Sequence, residues 1–202
     1  MQLTVGFKVL WAQLGTTSGR KVSVPMLLNI EELSWPDWRL ENSWTFRPAI
    51  VGMADSTDLR SRENGSAWAI RSFVRFASSQ WLTLRVLPMI SQDDACSWID
   101  SLGVRVVKNE HATSVITDRT ANSRMQSLNL ECSNALRYRI LSNRSQQTRD
   151  VKCVAGNIGN ILFVIRCAGL AEGWSWDDVL KVAGLQSTKI ARVSHGVDQG
   201  GV

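Results

Sequence analysis

The run from Ile161 to Cys167 constrains the fold more than any other stretch. Ile161, Phe163, Ile165 and Cys167 alternate with Leu162, Val164 and Arg166, so both faces of a strand here are apolar. Such a strand belongs in the middle of a sheet. Gly169 and Gly173 end it, and Ser175 with Asp178 three residues later supplies a helix N-cap signature. From there Trp176, Val179, Leu180, Ala183 and Ile190 recur at helical spacing, a stripe that needs a sheet to cover it. Gly184 inside that helix predicts a close approach of helix to sheet. Upstream, Val151 begins another strand, and Gly156 to Gly159 make the turn between the two.

The rest of the chain repeats these elements. Leu3, Val5, Phe7, Val9 and Trp11 alternate, as do Val22, Val24, Met26, Leu28 and Ile30, which predicts a long hairpin with an edge or bulged second strand at Pro25. Trp68, Ile70, Ser72, Val74 and Phe76, then Leu82, Leu84 and Val86, predict a second hairpin after the polar loop Ser56–Ser66. Its other face would display Arg71, Phe73 and Arg75 opposite Trp81, Thr83 and Arg85. Ser91 and Asp94 open a short helix with Ala95, Trp98, Ile99 and Leu102 on its buried stripe, stopping at Gly103. Weaker strands follow at Val104–Val107 and Ser114–Thr117, then a polar break at Arg119–Arg124, then strands at Leu128–Cys132 and Ala135–Leu141. The expectation is an α+β fold, mainly an antiparallel sheet of hairpins and meanders with two short amphipathic helices packed on it. Residues 1–103 form a β-rich first half ending in a helix and 104–193 a second half built the same way. The two make one compact unit and invite comparison as a duplication, with a disordered tail at 194–202.

Composition narrows the class. The 202 residues are 44% hydrophobic and 20% charged, ordinary for a globular chain with a sizeable core. The net charge of +5 comes from 17 Arg and 6 Lys against 18 acids, too dispersed for a nucleic-acid tail. No run reaches the ~20 apolar residues of a membrane helix. MQLTVGFKVLWAQL lacks the plan of a signal peptide, so a cytoplasmic location is expected, or an extracytoplasmic one if a leader has been removed. The four cysteines have no metal-ligand spacing and fall where small buried hydrophobes go, which predicts reduced, structural thiols.

No constellation carries chemistry. His111 and His195 stand outside any catalytic motif, and Asp93-Asp94 and Asp177-Asp178 sit in first turns of helices, where they complement the dipole. Gly156 to Gly159 join two strands and form no phosphate loop. No catalytic residue, cofactor or metal is expected.

Asn157 to Gly169, followed by W-S-W-D-D-V (Trp174–Val179), A-G-L-Q (Ala183–Gln186) and K-I (Lys189–Ile190), resembles the C-terminal end of small actinobacterial lipoprotein and sensor-type domains of the PsbP/Mog1-like α/β/α sandwich class. The resemblance spans residues 151–190. It implies an antiparallel sheet with helices against it and a role in binding a protein or ligand without catalysis. The chain departs from that pattern in lacking a lipobox cysteine, and no functional residue carries over.

Nine Trp against one Tyr remain to be explained. Indole and guanidinium are favoured at interfaces. The candidate partner-binding residues are therefore Trp35, Trp38, Arg39, Trp44, Arg71, Phe73, Arg75, Trp81 and Arg85. The first expectation is a non-catalytic protein-interaction module (adaptor, assembly factor or immunity-type partner). The alternatives are a nucleic-acid binder using the Arg/Trp sheet face, and a small-ligand or lipid carrier with an aromatic pocket between sheet and helix.

Overall fold

A computed structural model describes residues 26–35, 37–46, 68–141, 147–170 and 173–197. Among these residues seven strands form one sheet: β1 Arg39–Phe46, β2 Trp68–Arg75, β3 Gln80–Pro88, β4 Thr113–Thr117, β5 Ser133–Leu141, β6 Thr148–Ile158 and β7 Ile161–Gly169. Their order is β1-β2-β3-β7-β6-β5-β4, every neighbouring pair antiparallel. As its composition requires, β7 is central, and all its residues but Arg166 are buried. Gly159 takes a φ of 56° at the first position of the two-residue β6–β7 turn, a conformation with little penalty for glycine.

Among the described residues five α-helices cover the sheet: α1 Ile30–Leu33, α2 Gln92–Asp100, α3 Leu102–Glu110, α4 Arg119–Met125 and α5 Trp176–Val197. Residues of α1, α4 and α5 join one core cluster with Phe73, Leu82, Leu84, Phe163 and Ile165. Those of α2 and α3 join a second, with Leu87, Tyr138, Val151, Leu162 and Val164. The result is an α+β fold in three layers. The two helices expected from the sequence are α2 and α5, and both N-caps form as read: Asp94 N donates to Ser91 Oγ and Asp178 N to Ser175 Oγ, each at 3.1 Å.

The structure corrects several expectations. Residues 104–107 are helical, because Leu102 and Val106, four apart, are the buried pair of α3, and the first helix is capped at Ser101, before Gly103. The polar stretch 119–124 is α4, capped when Ala121 N donates to Asp118 Oδ1. Residues 128–132 are a turn and loop, and 30–33 are α1, not strand. The tail expected from Ser194 is still α5 as far as Val197; residues 198–202 and the hairpin segment before Met26 lie outside the described residues. The helices that close the two halves, α2 and α5, lie on opposite faces of a single sheet.

Cys96 of α2 is disulfide-bonded to Cys132, just before β5, which corrects the expectation of four reduced thiols. Cys153 and Cys167 are free and buried. Spacing could not show the bridge, because the partners are 36 residues apart and meet only once α2 has docked.

Gly184 also differs from expectation. A Cβ there would meet only a Leu128 methyl at 3.5 Å, an ordinary contact. The crowded glycine is Gly156, where a Cβ would fall 2.8 Å from Leu130 and from the Phe163 ring. Gly184→Ala should therefore stabilise the domain by about 1 kcal/mol through helix propensity, read as a higher urea midpoint at unchanged slope. Reducing Cys96–Cys132 should lower stability by about 3–4 kcal/mol for a bridge across 36 residues. Alkylation of the denatured, unreduced chain should then modify two cysteines and not four.

Candidate functional site

The site is built where the sheet meets the beginning of α5. On the α5 face, strand alternation and register bring Arg137, Lys152 and Cys167 into one row, and Arg139, Asp150 and Gly169 into the next. Gln80 and Arg75 continue the second row on β3 and β2. Trp174 stands over this floor, its indole Nε1 donating 3.1 Å to the Ala168 carbonyl. Gly169 lies beneath the indole, where a Cβ would make an ordinary contact at 3.6 Å. Gln80 Nε2 donates to the Gly173 carbonyl and Lys152 Nζ to the Trp174 carbonyl, so two floor residues hold the connection ahead of α5 in place.

The opposite wall comes from residues 26–38. Gln186 of α5, fully buried, accepts from Leu28 N at 3.3 Å and donates to the Met26 carbonyl at 2.6 Å. Arg71 Nη1 donates to the Leu27, Leu28 and Asn29 oxygens, and Lys189 pairs with Glu32. Anchored in this way, the segment carries Trp35 and Trp38 against Trp174. The three ring centroids lie 5.2 to 5.7 Å apart at tilted angles favoured by aromatic pairs.

Trp174 divides the groove. One side is a cavity of about 180 Å³ walled by Trp35, Trp38, Asp37, Arg75, Gln80 and Asp178. The other, about 290 Å³, is walled by Arg137, Asp150, Lys152, Cys167, Gly173 and Trp174. Their electrostatics differ. In the first, Arg75 is paired with Asp37 at 3.0 Å. In the second, Asp150 takes Arg139 at 2.9 Å and Arg137 at 3.5 Å, while Lys152 lies 5.4 Å over the Trp176 ring with no carboxylate in ion-pair range among the described residues. Burial, then the neighbouring Arg137 charge, holds the Lys152 ammonium below its ordinary pKa. Burial pushes the Cys167 thiol well up, so the sulfur on the cavity wall is an unreactive thiol.

The partner-binding residues expected from the sequence are dispersed. Trp35 and Trp38 are walls of the groove, with Trp38 only 7% exposed. Arg39 is exposed at the start of β1, and Trp44 pairs with Ile70 through its backbone, its side chain lying outside the described residues. Phe73 is in the core, Arg71 anchors residues 27–29, and Arg75 joins Asp37. Trp81 and Arg85 lie on the opposite face, where Arg149 stacks 4.0 Å from the Trp81 ring. The single Arg/aromatic face therefore does not form. Phe73 pairs with Leu82 and Arg71 with Leu84, one residue out of the expected register, which sends the two strands' members to different faces.

Sequence reasoning missed Arg137, Lys152, Gln80 and Trp174. The alternation of Arg137 with Arg139 and of Asp150 with Lys152 did mark two polar strand faces, but only the sheet order shows that they adjoin. On the α2 face a second polar cluster is internally satisfied: Tyr138 Oη donates 2.7 Å to Glu110, which pairs with Arg166 at 2.7 Å. Burial pushes the Cys153 thiol nearby up to about 12, the Glu110 charge adding to it. Among the described residues no group of three His, Cys, Asp or Glu side chains is placed to hold a metal, and no helix among them is long and apolar enough to cross a membrane.

No protein-family model and no curated protein matches the chain. Among solved structures it is similar to the extracellular domain of PknH from Mycobacterium tuberculosis, at TM-score 0.50 and 10% identity, over 83% of this chain and 93% of that one. At that identity the likeness is one of fold. It agrees with the antiparallel sheet with helices against it that the resemblance in residues 151–190 implies, and lends nothing to the PsbP/Mog1-like class.

Acid should loosen the wall that bears Trp35 and Trp38. Burial alone would raise the Glu32 carboxyl, but the Lys189 and Asn29 hydrogen bonds and the Lys189 and Arg192 charges outweigh it and hold the pKa below 4.5. A carboxyl lowered on folding stabilises above its unfolded pKa and loses that contribution as pH falls through the folded one. Urea midpoints measured from pH 6 downward should fall below about pH 4.5, with a shallower fall in Glu32→Gln.

Proposed function

We propose that this chain is a non-catalytic recognition domain that works outside the cytoplasm and binds a small ligand in the groove at the head of α5. The observation that carries this reading is the groove itself: three Trp rings held by buried hydrogen bonds, dividing two cavities floored by charged side chains. Small-molecule sites are concave, aromatic-walled and furnished with a few fixed polar groups. The expected alternative of an aromatic pocket between sheet and helix describes this place better than a flat adhesive surface does, because Trp38 and Phe73 are buried. The Cys96–Cys132 disulfide supports an oxidising compartment, where such bridges persist, over the cytoplasmic location first expected. The same consideration disfavours nucleic acid as the partner. The similarity in fold to an extracellular domain agrees with this reading.

Single- and double-ring aromatic fragments at about 1 mM, the range in which such fragments bind, test it by amide NMR. The expected outcome is a cluster of shifts at Gly169, Gly173, Trp174 and Lys152. Shifts confined to another face, or none with any fragment, would remove the groove as the site.

A further inference from the structure

We infer that the larger cavity takes an organic acid, its carboxylate seated between Lys152 and Arg137 and its apolar or aromatic body against Trp174. This rests on the groove being the binding site and specifies what enters it.

Basic side chains outnumber acids around this cavity. Arg137, Arg139 and Lys152 approach this cavity and its rim from neighbouring positions of β5 and β6, and Asp150 is the acid among its lining residues. Both Asp150 oxygens are occupied, Oδ1 by Arg139 at 2.9 Å and Oδ2 by Arg137 at 3.5 Å. One carboxylate between two guanidiniums leaves the Lys152 ammonium without a carboxylate in ion-pair range among the described residues. Asp118, the other nearby acid, is used as the N-cap of α4. Lys152 meets a carbonyl and an aromatic ring, partners that orient a cation without neutralising it.

Leaving a half-buried ammonium unneutralised opposes folding, and an apolar residue in a row with Cys167 would avoid the penalty. An incoming carboxylate would supply the missing charge in a site dry enough for the pairing to count. Arg137 bonds Asp150 at only 3.5 Å and its side chain is 46% exposed, so its remaining N–H groups are free to turn toward the same anion.

Size and shape decide the rest. A cavity of about 290 Å³ holds a body of one or two fused rings. Trp174 gives that body a flat wall, and Cys167 below it is a neutral thiol that adds no charge to the floor. The smaller cavity, where Arg75 is already paired with Asp37, has no comparable vacancy for an anion.

The test compares 2-naphthoate with 2-naphthamide, the same rings carrying a charged or a neutral head, by NMR titration of the whole chain. Naphthoate should bind at the groove at least ~10-fold tighter, about 1.4 kcal/mol, and should weaken between about 50 and 500 mM salt while naphthamide does not. Lys152→Met should reduce the preference to about 3-fold or less, about 0.7 kcal/mol, and Lys152→Arg should keep most of it. Lys108→Met, which removes the same charge from α3 on the other side of the sheet, should leave the ratio unchanged. If Lys152→Met fails to fold, Arg137→Gln and the salt dependence of the unaltered protein give the same reading. Equal binding of both compounds at the groove would overturn the anion assignment and leave the groove standing. Binding of neither there, with shifts elsewhere or absent, would overturn both.

Discussion

Gln186 is the interaction on which the site depends. Its amide, fully buried, satisfies a backbone N–H at Leu28 and a backbone carbonyl at Met26, about 160 residues away in the chain. Two buried backbone groups would otherwise lack partners, a penalty of roughly 1–3 kcal/mol each. The segment from Met26 is therefore tied to α5 in one register. Arg71 repeats the constraint from the sheet side by donating to the Leu27 and Leu28 carbonyls. With the segment fixed, Trp35 and Trp38 lie at the beginning of α5, where Trp174 already stands on the Ala168 carbonyl. The aromatic wall is thus made from two ends of the chain, and its geometry follows from amide hydrogen bonds more than from the rings themselves.

The two faces of the sheet are finished differently. On the α2 side, a disulfide joins helix to strand and the polar groups of Tyr138, Glu110 and Arg166 are spent on one another. On the α5 side the core is closed under the middle of the helix but opens at its beginning, where Lys152 has no carboxylate in ion-pair range among the described residues and Trp174 lines two cavities. One face is thus spent on closure while the other keeps charge and space above strands whose backbone is fixed from beneath.

How far the sequence revealed this follows from the range of each signal. Local signals were readable: the two-faced apolar run of β7 and the S-x-x-D caps of α2 and α5. The turn expected at Gly156 to Gly159 forms only from Gly159, because Gly156 to Ile158 continue β6. Short amphipathic pieces failed where length and polarity misled. Residues 104–107 look like a strand because α3 has only two buried apolar positions, and 119–124 look like a break because the tertiary contacts of Ala121 and Met125, which make α4 worthwhile, are not local. The β2–β3 pairing was read one residue out of register, enough to invent an Arg/aromatic face whose members are on both sides of the sheet. The disulfide and the Lys152–Trp174 arrangement depend on which strands adjoin, and no spacing rule encodes that.

The Trp excess shows the same limit from the side of composition. An indole is large enough to stabilise a core and polar enough to mark an interface, so its abundance alone could not choose. In place, the rings divide the work. Trp98 packs beneath α2 in the second core. Trp81 is stacked under Arg149, with one face against that core. Trp38 and Trp174 are nearly buried yet line open space. A side chain in that position holds the fold whatever else it does, so removing it would cost stability first. Lys152 differs in part: burial opposes its charge, while its Nζ donates to the Trp174 carbonyl, so the same side chain both strains the floor and holds the connection ahead of α5.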